Sequence, residues 1–281
     1  MPPTITALPA RRAHRTSALH SHARRLVTLL LALAVAVVTL WGNTPGTATA
    51  AAGLSVTIRN TTGSSQPVYV YVLGTRLTDH VSGYVTAGGA FRAWPAVSGS
   101  ATRAAPDVAI RGPRNGAATT VRLPHGISGR LYYSVGAKLD LRLVRDGTGR
   151  TGLVQPAPWV AGDASASTLF DWVEFTYQRG LWVNSTQVDQ FGLPAALTLR
   201  GAKGTRSTGR LVSDGRQRVA RALLADPALR GSVITDRSGR LIRVLAPGHA
   251  AREGRASAEY LNRAIDRAWA RYATRTLTVR P

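Results

Sequence analysis

The chain has 281 residues, a formal net charge of +22, no cysteine, and a composition that is 44% hydrophobic and 18% charged. Such a balance is globular rather than disordered, and the missing cysteines exclude disulfides, thiolate metal sites and cysteine nucleophiles. Only Lys138 and Lys203 among the 36 basic residues are lysines, and only Glu174, Glu253 and Glu259 among the 14 acids are glutamates.

The first 50 residues read as a targeting segment. Arg11, Arg12, Arg15, Arg24 and Arg25 precede an uncharged run at 26–41, and a small-residue stretch then ends in Ala48-Thr49-Ala50. This is the order of a secretory signal with cleavage before Ala51. Sixteen apolar residues fall short of the roughly 20 needed to cross a bilayer core. The Arg24-Arg25 pair leaves the general and the twin-arginine export routes both open. The expectation is a protein exported to the cell exterior, with no membrane attachment after cleavage. Its exported part, 51–281, carries 31 basic and 14 acidic residues, or +17.

Short alternating runs fill the first part of that exported chain. Leu54, Val56 and Ile58 share one face of a predicted strand at 54–59, and a second strand is predicted at 68–73. Further strands are expected at 82–86, 90–94, 119–123, 130–135 and 138–144, separated by Gly, Pro and Asn-Gly turns. The last third changes character. Asp214 can cap a helix over 215–225, and 232–234 with 241–244 form a predicted hairpin around 236–239. A second helix from about Ser257 sets Leu261, Ile265, Ala268, Trp269 and Tyr272 on one stripe, expected to face a core. A final strand is predicted at 276–279. The fold class expected is mainly β, or α+β: a barrel or sandwich over about 51–200 joined to a small α/β subdomain over about 201–281.

The stretch 170–200 is the richest in chemistry. Residues 170–177 and 181–186 alternate, and 178–180 make a three-residue hairpin loop with Gly180 at the position where a left-handed conformation is expected. Closure there pairs Tyr177 with Leu181, Phe175 with Val183 and Val173 with Ser185 on an apolar face. The other face pairs Thr176 with Trp182, Glu174 with Asn184 and Trp172 with Thr186. Indoles, hydroxyls, an amide and one carboxylate suit a carbohydrate, because indole rings stack on sugar faces while the polar groups meet ring hydroxyls. A carboxyl group between two indoles loses hydration, a setting that favours a proton donor. An exposed amphipathic hairpin with an incidental glutamate fits the same pattern. Asp189 follows fifteen residues after Glu174, in a turn between strands. Glycosidases need two carboxylates flanking the scissile bond, although an aspartate in a loop is also an ordinary turn residue.

These residues carry a resemblance. The blocks at 170–177, 180–184, 186–189 and 191–192 resemble the signature of glycoside hydrolase family 64, bacterial β-1,3-glucanases that release laminaripentaose. Stretches at 71–74, 105–108, 152–159 and 244–248 agree with it. The resemblance implies a thaumatin-like β-fold with an adjoining α/β subdomain, and β-1,3-glucan as the substrate. It implies an inverting mechanism with Glu174 as general acid and Asp189 as general base, their carboxyls roughly 6.5–9.5 Å apart. It implies that Thr176 and Trp182 line the glucan-binding groove, and the chemistry of the polar hairpin face adds Trp172 and Asn184 as candidate substrate-binding residues. Family domains continue beyond the point where this chain stops, so a lacking C-terminal part is also implied.

A non-catalytic glucan-binding protein is the rival reading, since binding needs only the aromatic face. A nucleic-acid module would cluster its basic residues with aromatics on one element, whereas arginine here is spread over nearly every segment. No specific nucleic-acid partner is therefore expected. His80, His125 and His249 show no paired spacing, so neither metal nor cofactor is predicted. No Gly-x-Ser-x-Gly elbow or phosphate-binding glycine loop occurs. The expected form is a monomer.

Overall fold

The computed structural model describes residues 53–185 and 187–279. The proposed leader and Thr186 lie outside the described residues. Period-two alternation becomes strand through most of the first half: β1 (Leu54–Arg59), β2 (Val68–Arg76), β3 (Val81–Val85), β4 (Phe91–Ala93), β5 (Arg103–Ala104), β6 (Ile110–Arg111), β7 (Ala118–Leu123) and β8 (Ile127–Val135). β9 (Arg142–Arg145), β10 (Thr151–Val154), β11 (Leu169–Tyr177), β12 (Leu181–Asn184), β13 (Gln190–Phe191), β14 (Thr198–Gly201) and β15 (Gly204–Ser207) follow. The last third holds α1 (Gly215–Ala225), β16 (Val233–Thr235), β17 (Leu241–Leu245), α2 (Pro247–Arg252) and α3 (Asn262–Tyr272).

A seven-stranded antiparallel sheet organises the molecule, in the order β12-β11-β8-β2-β3-β4, with β6 also pairing β2. Both of its faces are covered. On one, Val70, Val72, Ile127, Leu131, Val173 and Phe175 pack with Val121 and Leu123 under the two-stranded ribbon β1-β7. On the other, Tyr71, Leu73, Tyr132, Phe170 and Trp172 pack with Leu139, Leu141 and Leu143 near the three-stranded sheet β10-β9-β5. This is a mainly β sandwich. The closed, thaumatin-like barrel implied by the resemblance is not found among the described residues.

Several expectations are corrected. Of the strand predicted at 138–144 only Arg142–Arg145 forms one. Leu139 and Leu141 are still buried, but the N–H of Leu139 donates to the Tyr71 hydroxyl (2.9 Å) and that of Asp140 to Ser165 Oγ (3.3 Å), so side chains replace the ladder. The helix expected from Ser257 begins at Asn262, and the short helix α2 was not among the expected elements. Pro247 starts that helix, where its missing N–H costs nothing. The stripe on α3 does not face a core: Trp269 is 72% and Leu261 52% exposed, and the helix buries no residue. No described element lies over that face. Residues 276–279 form no strand, with Val279 77% exposed, because no neighbouring strand offers a ladder.

The last third of the chain joins the sandwich through a three-stranded sheet, β13-β17-β16. Gln190 and Phe191 of β13 pair with Leu245 and Val244 of β17, drawing α2 toward the segment that carries Asp189. Arg243, 0% exposed, secures this junction. It donates to Gln190 Oε1 at 3.2 Å and to the Thr168 carbonyl, and lies 5.0 Å over the Phe170 ring. Burial pulls its guanidinium down to about 10, against the opposing charges of Asp171 and Asp163.

Candidate functional site

β11 and β12 form the expected hairpin, in the expected register: Tyr177 opposite Leu181, Thr176 opposite Trp182, Phe175 opposite Val183 and Glu174 opposite Asn184. The loop closes through the Gln178 N–H to the Gly180 carbonyl at 3.1 Å. Gly180 is not among the glycines with positive φ, so the predicted left-handed turn is corrected. The apolar face of the hairpin packs on the core as its alternation dictates. The polar face changes along its length. Phe170 and Trp172 are core, whereas Glu174 and Thr176 are half-buried and Trp182 is 58% exposed.

Glu174 is set among fixed partners. β8 lies beside β11 and places Arg130 directly opposite it. Arg130 Nε donates to Glu174 Oε1 at 3.1 Å, and Nη2 reaches the same oxygen at 3.0 Å. Asn184 Nδ2 donates to Oε2 at 3.5 Å. The Arg130 guanidinium lies 4.8 Å over the Trp172 ring and donates to the Tyr132 hydroxyl at 3.3 Å. The expected setting, a carboxylate between two indoles, is thus corrected to an ion pair whose cation rests on one of them. Trp172, 4% exposed, supports the face from below instead of lining it. Thr176 shares a 2.8 Å hydroxyl hydrogen bond with Ser128, and Trp182 presents an open ring opposite it.

Asp189 is carried by residues 187–193, a segment latched to β11 by a buried aspartate. Asp171 Oδ2 accepts from Gln187 Nε2 (2.8 Å), the Gly192 N–H (2.9 Å) and the Leu193 N–H (3.0 Å). Gln190 Nε2 adds a bond to the Phe170 carbonyl at 2.8 Å. The approach is close enough that a Cβ on Gly192 would stand 2.6 Å from that carbonyl oxygen, which only glycine permits. Burial pushes Asp171 up to about 6, against the pull of the N–H donors.

From the other side, the Ala246 N–H donates to the Asp189 carbonyl at 2.9 Å, and His249 Nε2 of α2 lies 2.8 Å from Asp189 Oδ1. The His249 ring stacks on Trp159, centroids 4.3 Å apart and planes 18° apart, and Trp159 in turn lies 6.5 Å from Trp172. Burial pushes the Tyr132 phenol up, and the charges of Glu174 and Asp189 both add to the rise. One phenol therefore lies in the field of both acids.

The structure thus assembles Glu174, Thr176, Trp182 and Asn184 on one hairpin face and brings Asp189 to the same neighbourhood, while Trp172 sinks into the core. Sequence reasoning missed Arg130, Tyr132, Trp159, Asp171 and His249. Trp159 and the start of the helix that carries His249 lie at the ends of the 152–159 and 244–248 stretches that carry the resemblance, and Asp171 lies inside its main block. Arg130 and Tyr132 gave no local signal. Among the described residues no group of three or more His, Asp or Glu side chains could hold a metal ion.

Two acids supported by aromatic rings and an arginine thus lie on an antiparallel sandwich. A family model described as beta-1,3-glucanase, glycoside hydrolase family 64, matches residues 52–281, and the chain belongs to that family. It is 38% identical over 256 residues to glucan endo-1,3-beta-glucosidases of Cellulosimicrobium cellulans and of Arthrobacter sp. (strain YCWD3). That match covers 89% of this chain and 45% of each relative, so the chain spans less than half of their length. A crystal structure of a laminaripentaose-producing beta-1,3-glucanase in complex with laminaritetraose superposes with a TM-score of 0.72 at 38% identity. The superposition covers 79% of this chain and 60% of that one.

Proposed function

We propose that this protein is an exported, monomeric endo-type β-1,3-glucan hydrolase that acts by inversion and releases short laminari-oligosaccharides such as laminaripentaose. The observation that carries the reading is the chain of contacts that runs from Glu174 through Arg130, Trp172, Trp159 and His249 to Asp189, beside a hairpin face where Trp182 is open to solvent. Glu174 donates its proton to the glycosidic oxygen as the C1–O bond breaks. Asp189 takes a proton from the water that attacks C1 from the opposite face, so the product leaves with inverted configuration. Trp182 supplies the stacking surface, and Thr176 and Asn184 meet sugar hydroxyls. β-1,3-Glucan is neutral, so the basic surface plays no part in substrate choice.

Product analysis on laminarin and curdlan tests the reading. Oligosaccharides should appear, with the α-anomer at the new reducing end in early NMR spectra. Glu174→Gln should lower turnover by about 10²- to 10⁴-fold while glucan binding persists. Folded protein that binds glucan and releases nothing would make it a binding protein; an early β-anomer would mean retention. Mass spectrometry of the exported protein should find Ala51 at its N-terminus.

A further inference from the structure

The contact between His249 and Asp189 joins residues 60 positions apart and has no counterpart in the roles derived above. Three features make it more than a surface ion pair. The imidazole is pinned on its face by Trp159 and half-buried. Its backbone is fixed as well: the residue preceding α2, Ala246, donates to the Asp189 carbonyl, so main chain and side chain of Asp189 are held by the same four-residue stretch. Lastly, His249 Nδ1 is enclosed and has no hydrogen-bond partner among the described residues. A buried N–H without an acceptor is rarer and costlier than a bare acceptor lone pair. The neutral ring therefore carries its proton on Nε2, facing the carboxylate.

We propose that His249 is a positioning residue for Asp189. Its Nε2–H occupies Oδ1, and Trp159 holds the ring against rotation. Oδ2 is left as the oxygen that accepts the proton of the attacking water. A carboxylate free to rotate would offer either oxygen in many orientations, and loose alignment of a base costs rate without costing substrate affinity. The proposal rests on the reading of Asp189 as the base.

The test uses the full chain with His249→Ala, His249→Gln and Asp189→Asn. His249→Ala should lower kcat on laminarin by about 10- to 100-fold with KM within a factor of two. His249→Gln should recover most of the loss, because its amide nitrogen can donate to the carboxylate over a similar reach. An alanine variant within twofold of the parent kcat would overturn the proposal. So would equal losses in both His249 variants accompanied by a lower melting temperature, the mark of a purely structural tie. Asp189→Asn separates the two layers: retained turnover there sinks the base assignment, whereas its loss beside a normal His249→Ala sinks only the role of the histidine. Independently of turnover, long-range ¹⁵N–¹H spectra near pH 8 should show His249 as the Nε2–H tautomer, with that preference lost in Asp189→Asn. A proton on Nδ1 in the parent overturns the proposal.

Discussion

Asp171 illustrates how one buried residue shapes the site without touching substrate. It is 1% exposed and accepts from two backbone N–H groups and a glutamine amide of the segment carrying Asp189. Burial raises its pKa from the ordinary aspartate range to about 6, which sets the sign of its pH dependence. The folded chain holds this proton more tightly than the unfolded chain does. The associated stability is complete below about pH 4 and is lost as pH rises through about 6, by on the order of 3 kcal/mol. Denaturation of the parent and of Asp171→Asn from pH 4 to 6.5 should show the parent losing stability relative to the variant. A constant difference would refute this assignment. The signature block contained Asp171 as plainly as Glu174, but burial is what separates a latch from an acid on an open face, and burial is a tertiary quantity.

At the scale of the element, the β11–β12 hairpin divides its polar face between core and site. Alternation alone put Trp172 and Trp182 on the same face, and the register bears this out. Alternation cannot say how far along the strand the neighbouring layer extends. In the folded protein it covers Trp172 and stops before Trp182, so the two indoles should fail differently. Trp172→Ala empties a packed position and should cost about 3–5 kcal/mol in unfolding free energy. Trp182→Ala should leave stability within about 0.5 kcal/mol while weakening glucan binding by about 1 kcal/mol, read as a rise in KM at near-constant kcat. Equal destabilisation by both would contradict this division. The face and the hairpin register were legible because both follow from a period of two and a loop length. The partners Arg130 and Tyr132 were not, since β8 becomes the neighbour of β11 only when the sheet assembles.

At the scale of the whole molecule, a sandwich with two separate apolar layers supports the site, while α3 stands apart from both. Its apolar stripe is exposed through Leu261, Ile265, Trp269 and Tyr272, and Arg263, Arg267 and Arg271 lie on the same helix. Since the helix buries nothing, Ile265→Ser and Trp269→Ser should shift the unfolding free energy by no more than about 0.5 kcal/mol. They should also reduce concentration-dependent association, measured by light scattering, because a contiguous exposed apolar face is sticky. A loss of several kcal/mol would mean that the stripe is packed in solution.

Length, composition and charge already excluded disulfide and thiolate chemistry, and the local patterns determined the strand-rich first half, the hairpin register and the family block around Glu174. Those features arise from neighbours a few residues apart, where side-chain period and turn chemistry act directly. Only the tertiary structure decided which indole is core, which cation meets Glu174, and that Asp189 meets a histidine 60 residues away stacked on a tryptophan. Such contacts depend on strand order and on the pairing of β13 with β17, which brings residues 244–249 to Asp189. The same holds for α3, whose strong amphipathic pattern states that an apolar face exists but cannot state what covers it.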